Sequence, residues 1–153
     1  MPSEQQLDQL RMRIASILSS RECRSIRFRV DNIAIQWGMY GTMADYVRRR
    51  IVGVWIGPSE GADAAYVPDP GSNFIRLSSV GVPDTPSGRC QIVHEATHAC
   101  VDAFHVGARV EALSNEVAGY VAEGVYALNI KEQDKDAKMQ SPILALARKV
   151  YME

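Results

Sequence analysis

Five consecutive residues, His94-Glu95-Ala96-Thr97-His98, place two imidazoles and a carboxylate at a spacing that can do chemistry. In a helix, residues four apart lie one turn above each other on the same face, so both rings can reach one metal ion. Glu95 sits about 100° further round the axis at roughly 3.6 residues per turn, so it can reach a water held by the ion rather than the ion itself. Two nitrogen ligands, an open coordination position and a carboxylate base are what hydrolysis at a zinc ion requires. Ile92-Val93 precede the motif and Ala99-Cys100-Val101 follow it. Such apolar flanks bury a helix and leave its polar residues needing partners. The plainer alternative is a solvent-facing histidine pair, but two of only three histidines fall in this pattern.

Two histidines do not complete a zinc site, so a third ligand is expected. Downstream lies Asn115-Glu116, with the 17 positions 99 to 115 separating His98 from Glu116. That length suffices to end one helix, turn, and bring a second back beside it. The combination of His94-Glu95-x-x-His98 with Asn115-Glu116 resembles the gluzincin branch of the zincin metallopeptidases, over about residues 89 to 130. The resemblance implies Zn2+ as cofactor, His94, His98 and Glu116 as its ligands, Glu95 as catalytic base, and a peptide or protein as substrate. Two departures stand out. The spacing to Glu116 is slightly shorter than in the commonest gluzincins, and Tyr120 stands where an aspartate often orients a histidine. Asn115, Glu123 and Asp102 are the candidates to supply that support.

Other donors compete. Glu111 and Glu123 lie near Glu116, and Glu123 shares its face about 10 Å along the axis. Glu116 is favoured over Glu123 on the motif. His105 falls one position late for the metzincin pattern H-E-x-x-H-x-x-G-x-x-H, in which Val101 and Phe104 take the glycine and histidine places. It reads as a helix-end histidine near Gly107, where a cation suits the dipole. Asp102 continues the row from His98 but lies too far from His94 to share an ion. Cys90, four residues before His94, is a conceivable thiolate ligand but reads better as a small buried residue. Peptide deformylase also joins H-E-x-x-H to a cysteine, yet the upstream glycine- and cysteine-containing segment it needs is missing.

The chain of 153 residues fits one domain spanning 1–153 with a substantial core. Its 46% hydrophobic and 23% charged residues match an ordinary globular composition. A net charge of −1 gives no reason to expect nucleic acid as a partner. Arg48-Arg49-Arg50 reads as the solvated end of a helix. Three cysteines without a C-x-x-C pair suggest reduced thiols rather than a disulfide scaffold. No run approaches the ~18 apolar residues of a membrane span, and no signal-peptide pattern opens the chain. It is therefore expected to be cytoplasmic, exported by a non-classical route, or an excised domain.

Around the motif, the pattern predicts a first helix capped by Ser3 with Gln6 and carrying Leu7, Leu10, Ile14, Ile17 and Leu18. Alternation over Ile26 to Val30 and Ile33 to Trp37, broken by Asp31-Asn32, fits a hairpin or one long bulged strand. Thr42 is a candidate cap for a short helix with Met43, Tyr46 and Val47. Strands are expected at 51–56, 64–67 and 73–77, then a loop over 78–88. The resemblance implies that the 73–77 strand is the sheet edge over the site, able to bind an extended peptide. The motif helix should run from about Ser87 or Arg89 to His105. A second should run from Arg109 to Asn129 with Leu113, Val117, Tyr120, Gly124 and Leu128 inward. A charged linker over Lys131–Lys138 and a last helix opened by Ser141-Pro142 complete the reading.

The expected architecture is α+β, zincin-like: a small, mostly antiparallel sheet packed on three or four helices, with the metal between two of them. Peptide-bond hydrolysis is the expected activity. A toxin, effector or cell-wall-targeting metallohydrolase domain, and an inactive zincin serving as a metal-stabilised binding module, are the alternatives. Tyr120 and Tyr126 are the tyrosines near enough in sequence to stabilise an oxyanion, a role left unassigned between them.

Overall fold

A computed structural model describes residues 1–58, 60–105 and 109–130. The stop at Gly107, the Lys131–Lys138 linker and the Ser141-Pro142 helix lie outside the described residues. The fold is α+β. Helix α1 (Glu4–Leu18) begins with the expected capping box between Ser3 and Gln6 and buries Leu10, Ile14, Ala15 and Leu18. A single turn, α2 (Arg21–Arg24), follows, capped by Ser20. Strands β1 (Phe28–Val30) and β2 (Ile33–Ile35) then form a hairpin rather than one bulged strand. Asp31 at the turn takes φ 51°, a left-handed conformation that Asp and Asn tolerate better than most residues.

Helix α3 (Met39–Arg48) starts earlier than Thr42 would have placed it. Gly38 is its N-cap, at φ 85°, and the Thr42 hydroxyl bonds back to the Gly38 carbonyl from inside the helix. The arginine run ends this helix, and Arg50 reaches Asp8 and Glu4 on α1.

Strands β3 (Gly53–Ile56), β4 (Ala64–Val67) and β5 (Phe74–Leu77) form a second sheet in the order β3-β5-β4. Two of the three strand pairings are antiparallel, while β3 and β5 run parallel. Two expectations are corrected here. The strands divide into two small sheets instead of one, and the 73–77 strand is central, not the edge. The edge is β4. β4 runs antiparallel to β5, and β5 lies between it and the parallel β3.

Helix α4 (Pro86–Phe104) carries the motif. Thr85 caps it by accepting from the Gly88 amide, with Pro86 in the first turn where its missing N–H costs nothing. Gly88 is required there, because a Cβ would lie 1.9 Å from the Val82 carbonyl oxygen in the preceding 3-10 turn, Val82–Asp84. Helix α5 (Ala112–Ile130) packs along α4. Its inward face is the expected one in part: Gly124 is buried and Val117 and Leu128 pack against the core. Leu113 and Tyr120 are 77% and 43% exposed, while Ala118, Val121, Ala122 and Val125 are buried. Small residues win the interface because they let two backbones come close, a gain that a hydropathy pattern does not register. No described helix is long and apolar enough to cross a membrane.

The back of α4 is fixed by α1 and α3. Buried Thr97 donates to the Val93 carbonyl and accepts from the buried Tyr40 hydroxyl on α3, both at 2.8 Å. Removing Thr97's hydroxyl strands a buried phenol, which costs about 1–3 kcal/mol, whereas removing Tyr40's leaves Thr97 still bonded and costs about 1 kcal/mol. In urea unfolding, Thr97→Val should therefore lower stability more than Tyr40→Phe; the opposite order would mean that the phenol finds another partner.

Candidate metal centre

Helical spacing on α4 brings the His94 and His98 rings together, with centroids 4.8 Å apart. Both are buried. Among the described residues, His94, Glu95 and His98 form a group whose ligating atoms all lie within 4.8 Å of one another. A second carboxylate meets the rings from α5. Glu116 sets one oxygen 3.7 Å from His94 Nε2 and the other 3.6 Å from His98 Nε2. Metal–ligand bonds of about 2.0–2.1 Å around a tetrahedral zinc separate neighbouring ligand atoms by about 3.3 Å. Each Glu116 distance, made by a different oxygen, is a few tenths of an ångström longer than that edge length. The 4.8 Å group names Glu95 instead of Glu116, but a Glu95 oxygen is already committed to a backbone amide, as described below. Glu95 and Glu116 thus both bring a carboxylate to the two rings, Glu95 from the same helix and Glu116 from α5.

The other ring nitrogens are also engaged. His94 Nδ1–H donates to Glu123 Oε2 at 3.1 Å, and His98 Nδ1–H donates to Asn115 Oδ1 at 3.0 Å. Each acceptor holds the proton on Nδ1, which leaves the Nε2 lone pairs facing the Glu116 side. Asn115 and Glu123 thus do the orienting. Asp102, the third candidate, binds Tyr66 and Asn73 instead. Glu123 takes on the support that Tyr120 cannot give. It stands seven residues beyond Glu116 rather than four, and its side chain is only 14% exposed against the His94 ring. Glu123 therefore meets the His94 ring at Nδ1, while Glu116 lies on the Nε2 side.

Charge shapes the cluster. Burial alone would favour a neutral His94. The Glu123 hydrogen bond, with the charges of Glu95, Glu123 and Glu116, outweighs it, so the ring holds a proton to higher pH than usual. Glu95 moves upward as well, because burial outweighs the opposing help of His94, the Tyr66 amide and His98. That amide donates to Glu95 Oε2 at 2.6 Å and comes from β4, the sheet edge.

The approach of the two helices depends on Gly119, which the sequence reading did not single out. A Cβ there would lie 2.7 Å from His94 Nε2. The available signal was a glycine inside a helix, which costs about 1 kcal/mol relative to alanine and usually has a packing reason. Tyr120, next to it, sets its ring edge-on to His94 with centroids 4.7 Å apart. Tyr126 is buried, and its hydroxyl is pushed up to about 12 by burial. That makes it a core residue.

The remaining donors lie elsewhere. Cys90 is buried and outside the group that closes on the histidines, and Glu111 is exposed. His105 ends α4, away from the cluster. The start of α5, which sets Glu116, is tied to the hairpin: Ser114 donates to Asp31, and Asn32 donates to the Arg109 carbonyl at 2.9 Å. Compared with known protein families, curated proteins and solved structures, the chain finds no match.

Two substitutions test this geometry by zinc affinity, measured in competition with a chromogenic chelator. Glu123→Ala should weaken binding about 10- to 100-fold, the range for lost support of a ligand histidine. Gly119→Ala, normally favourable in a helix by about 1 kcal/mol, should instead weaken binding at least about tenfold, because the new methyl occupies the space of the ring nitrogen. Unchanged affinity in both variants would remove the metal from this position.

Proposed function

We propose that this chain is a zinc-dependent metallopeptidase of gluzincin-like type, with His94, His98 and Glu116 as ligands and Glu95 as general base. The observation that carries the proposal is the Glu116 carboxylate, 3.6 and 3.7 Å from two imidazole nitrogens whose rings are already oriented from behind. A surface histidine pair has no reason to meet such a carboxylate from a second helix. The α+β architecture, with the site between α4 and α5, agrees with the zincin-like arrangement.

When bound, zinc lowers the pKa of a water to about 7 and polarises a carbonyl. The chain's own residues supply the rest. Glu95 lies on the same helix as the two histidines, and its raised pKa places it closer to the range a proton carrier needs. It takes the proton of the attacking water and delivers it to the leaving amine. The Tyr66 amide holds one Glu95 oxygen in place, leaving the other to make that exchange. A peptide would approach beside β4, an edge strand whose Tyr66 amide holds Glu95. Tyr120, exposed and against His94, is the tyrosine available near the reacting carbonyl.

The test pairs metal analysis with a quenched peptide library, with and without chelator. Zinc-dependent cleavage is expected. Glu95→Gln should keep its zinc within about threefold in affinity and lose at least about a thousandfold in kcat, more than general-base help alone often supplies but fitting when the attacking water loses its only base. Cleavage that persists in Glu95→Gln would refute the base assignment. Zinc bound by the unaltered chain without turnover of any peptide would point to a metal-stabilised binding module.

A further inference from the structure

Gln91, Glu95 and Asp102 stand at i, i+4 and i+11 along α4. Eleven residues make about three turns, so the three side chains share one stripe. All three hold β4 or the residue just before it. Gln91 Oε1 accepts from the Asp63 amide at 2.8 Å, and Glu95 Oε2 from the Tyr66 amide at 2.6 Å. Asp102 Oδ2 accepts from the Tyr66 hydroxyl at 2.6 Å. Tyr66 is thus gripped twice, its backbone by the glutamate of the motif and its ring by an aspartate two turns further on. Asn73, just before β5, adds a donor to the same Asp102 oxygen at 3.2 Å, while its own carbonyl accepts from the Asp69 amide. Asp102 therefore gathers the edge strand and the connection that follows it.

The consequence falls on Glu95. A glutamate side chain has three rotatable bonds, and a base works only where its oxygen is held within reach of the proton it takes. The amide that holds Glu95 belongs to a strand of four residues paired on one side only. Such a strand is placed by whatever grips its free side. Here Gln91 holds the residue before the strand, and Asp102 holds the ring of the same residue whose amide meets Glu95. We propose that Asp102 and Tyr66 are positioning residues, which set the orientation of the Glu95 carboxylate through the β4 backbone. Asp102 touches neither the ligands nor the base and acts only through Tyr66. The inference rests on the reading of Glu95 as the base of a hydrolase.

The experiment uses the full zinc-loaded chain carrying Tyr66→Phe, Asp102→Ala, Asp102→Asn, or the first two together. It reads kcat and KM on the peptide the unaltered chain cleaves fastest, zinc affinity by chelator competition, and hydrogen exchange of the Tyr66 amide by NMR. Tyr66→Phe and Asp102→Ala should each lower kcat about tenfold, with KM and zinc affinity within about twofold, and speed exchange of that amide about tenfold. The double variant should be no worse than either single one, since both cut the same link. Asp102→Asn keeps an oxygen for the phenol and should recover most of the loss. Unchanged kcat and exchange in Tyr66→Phe, additive losses, or a loss that tracks weakened zinc binding would each overturn the proposal. If the unaltered chain cleaves nothing, the hydrolase reading falls, and exchange at Tyr66 alone then decides whether Asp102 holds the strand.

Discussion

Three carboxylates, Glu95, Glu116 and Glu123, crowd two buried imidazoles where α4 meets α5. Like charges this close repel, and burial removes much of the water that would screen them. The neighbouring carboxylates hold a proton on His94 more firmly, while burial draws Glu95 toward its neutral form. In the proposed reading a divalent cation offsets that repulsion more fully than one proton does, because it faces both Nε2 atoms and the Glu116 carboxylate together. The rest of the fold keeps these groups together.

That service is distributed. The rear of α4 is locked by Tyr40 and Thr97 against α3, so the motif helix cannot rotate to relieve the crowding. Gly119 lets α5 come within contact of the His94 ring, and Gly88 lets the start of α4 sit on the turn before it. The β1–β2 hairpin anchors the beginning of α5 through Asp31 and Asn32, while Asn129 ties its end to α2 by donating to the Glu22 carbonyl at 2.8 Å. Edge strand β4 closes the remaining side. Each contact is modest alone; together they make a rigid frame around groups that would otherwise separate.

Much of this frame was readable in the residues, and unevenly so. Helices α1 and α4 lie within a few residues of their expected bounds because capping and stop signals are local effects. Leu113 and Tyr120 were placed inward on α5 but are exposed, since a helix rich in alanine, glycine and valine is apolar nearly all round and its pattern selects no single face. The sheet edge was misplaced for a related reason. Strand order depends on which segments meet after folding, and the excursion through β4 leaves no mark in the alternation of β5.

His94, Glu95 and His98 were determined by the sequence alone, because their convergence needs only the pitch of one helix. The pairing of Asn115 with His98 and Glu123 with His94 was decided by tertiary structure, since sequence proximity to Glu116 left Asp102 an equal claim. So was the Tyr66 amide on Glu95, a backbone donor that any residue would offer and no motif can mark. Local geometry is written residue by residue; the distance between two helices depends on every side chain packed between them.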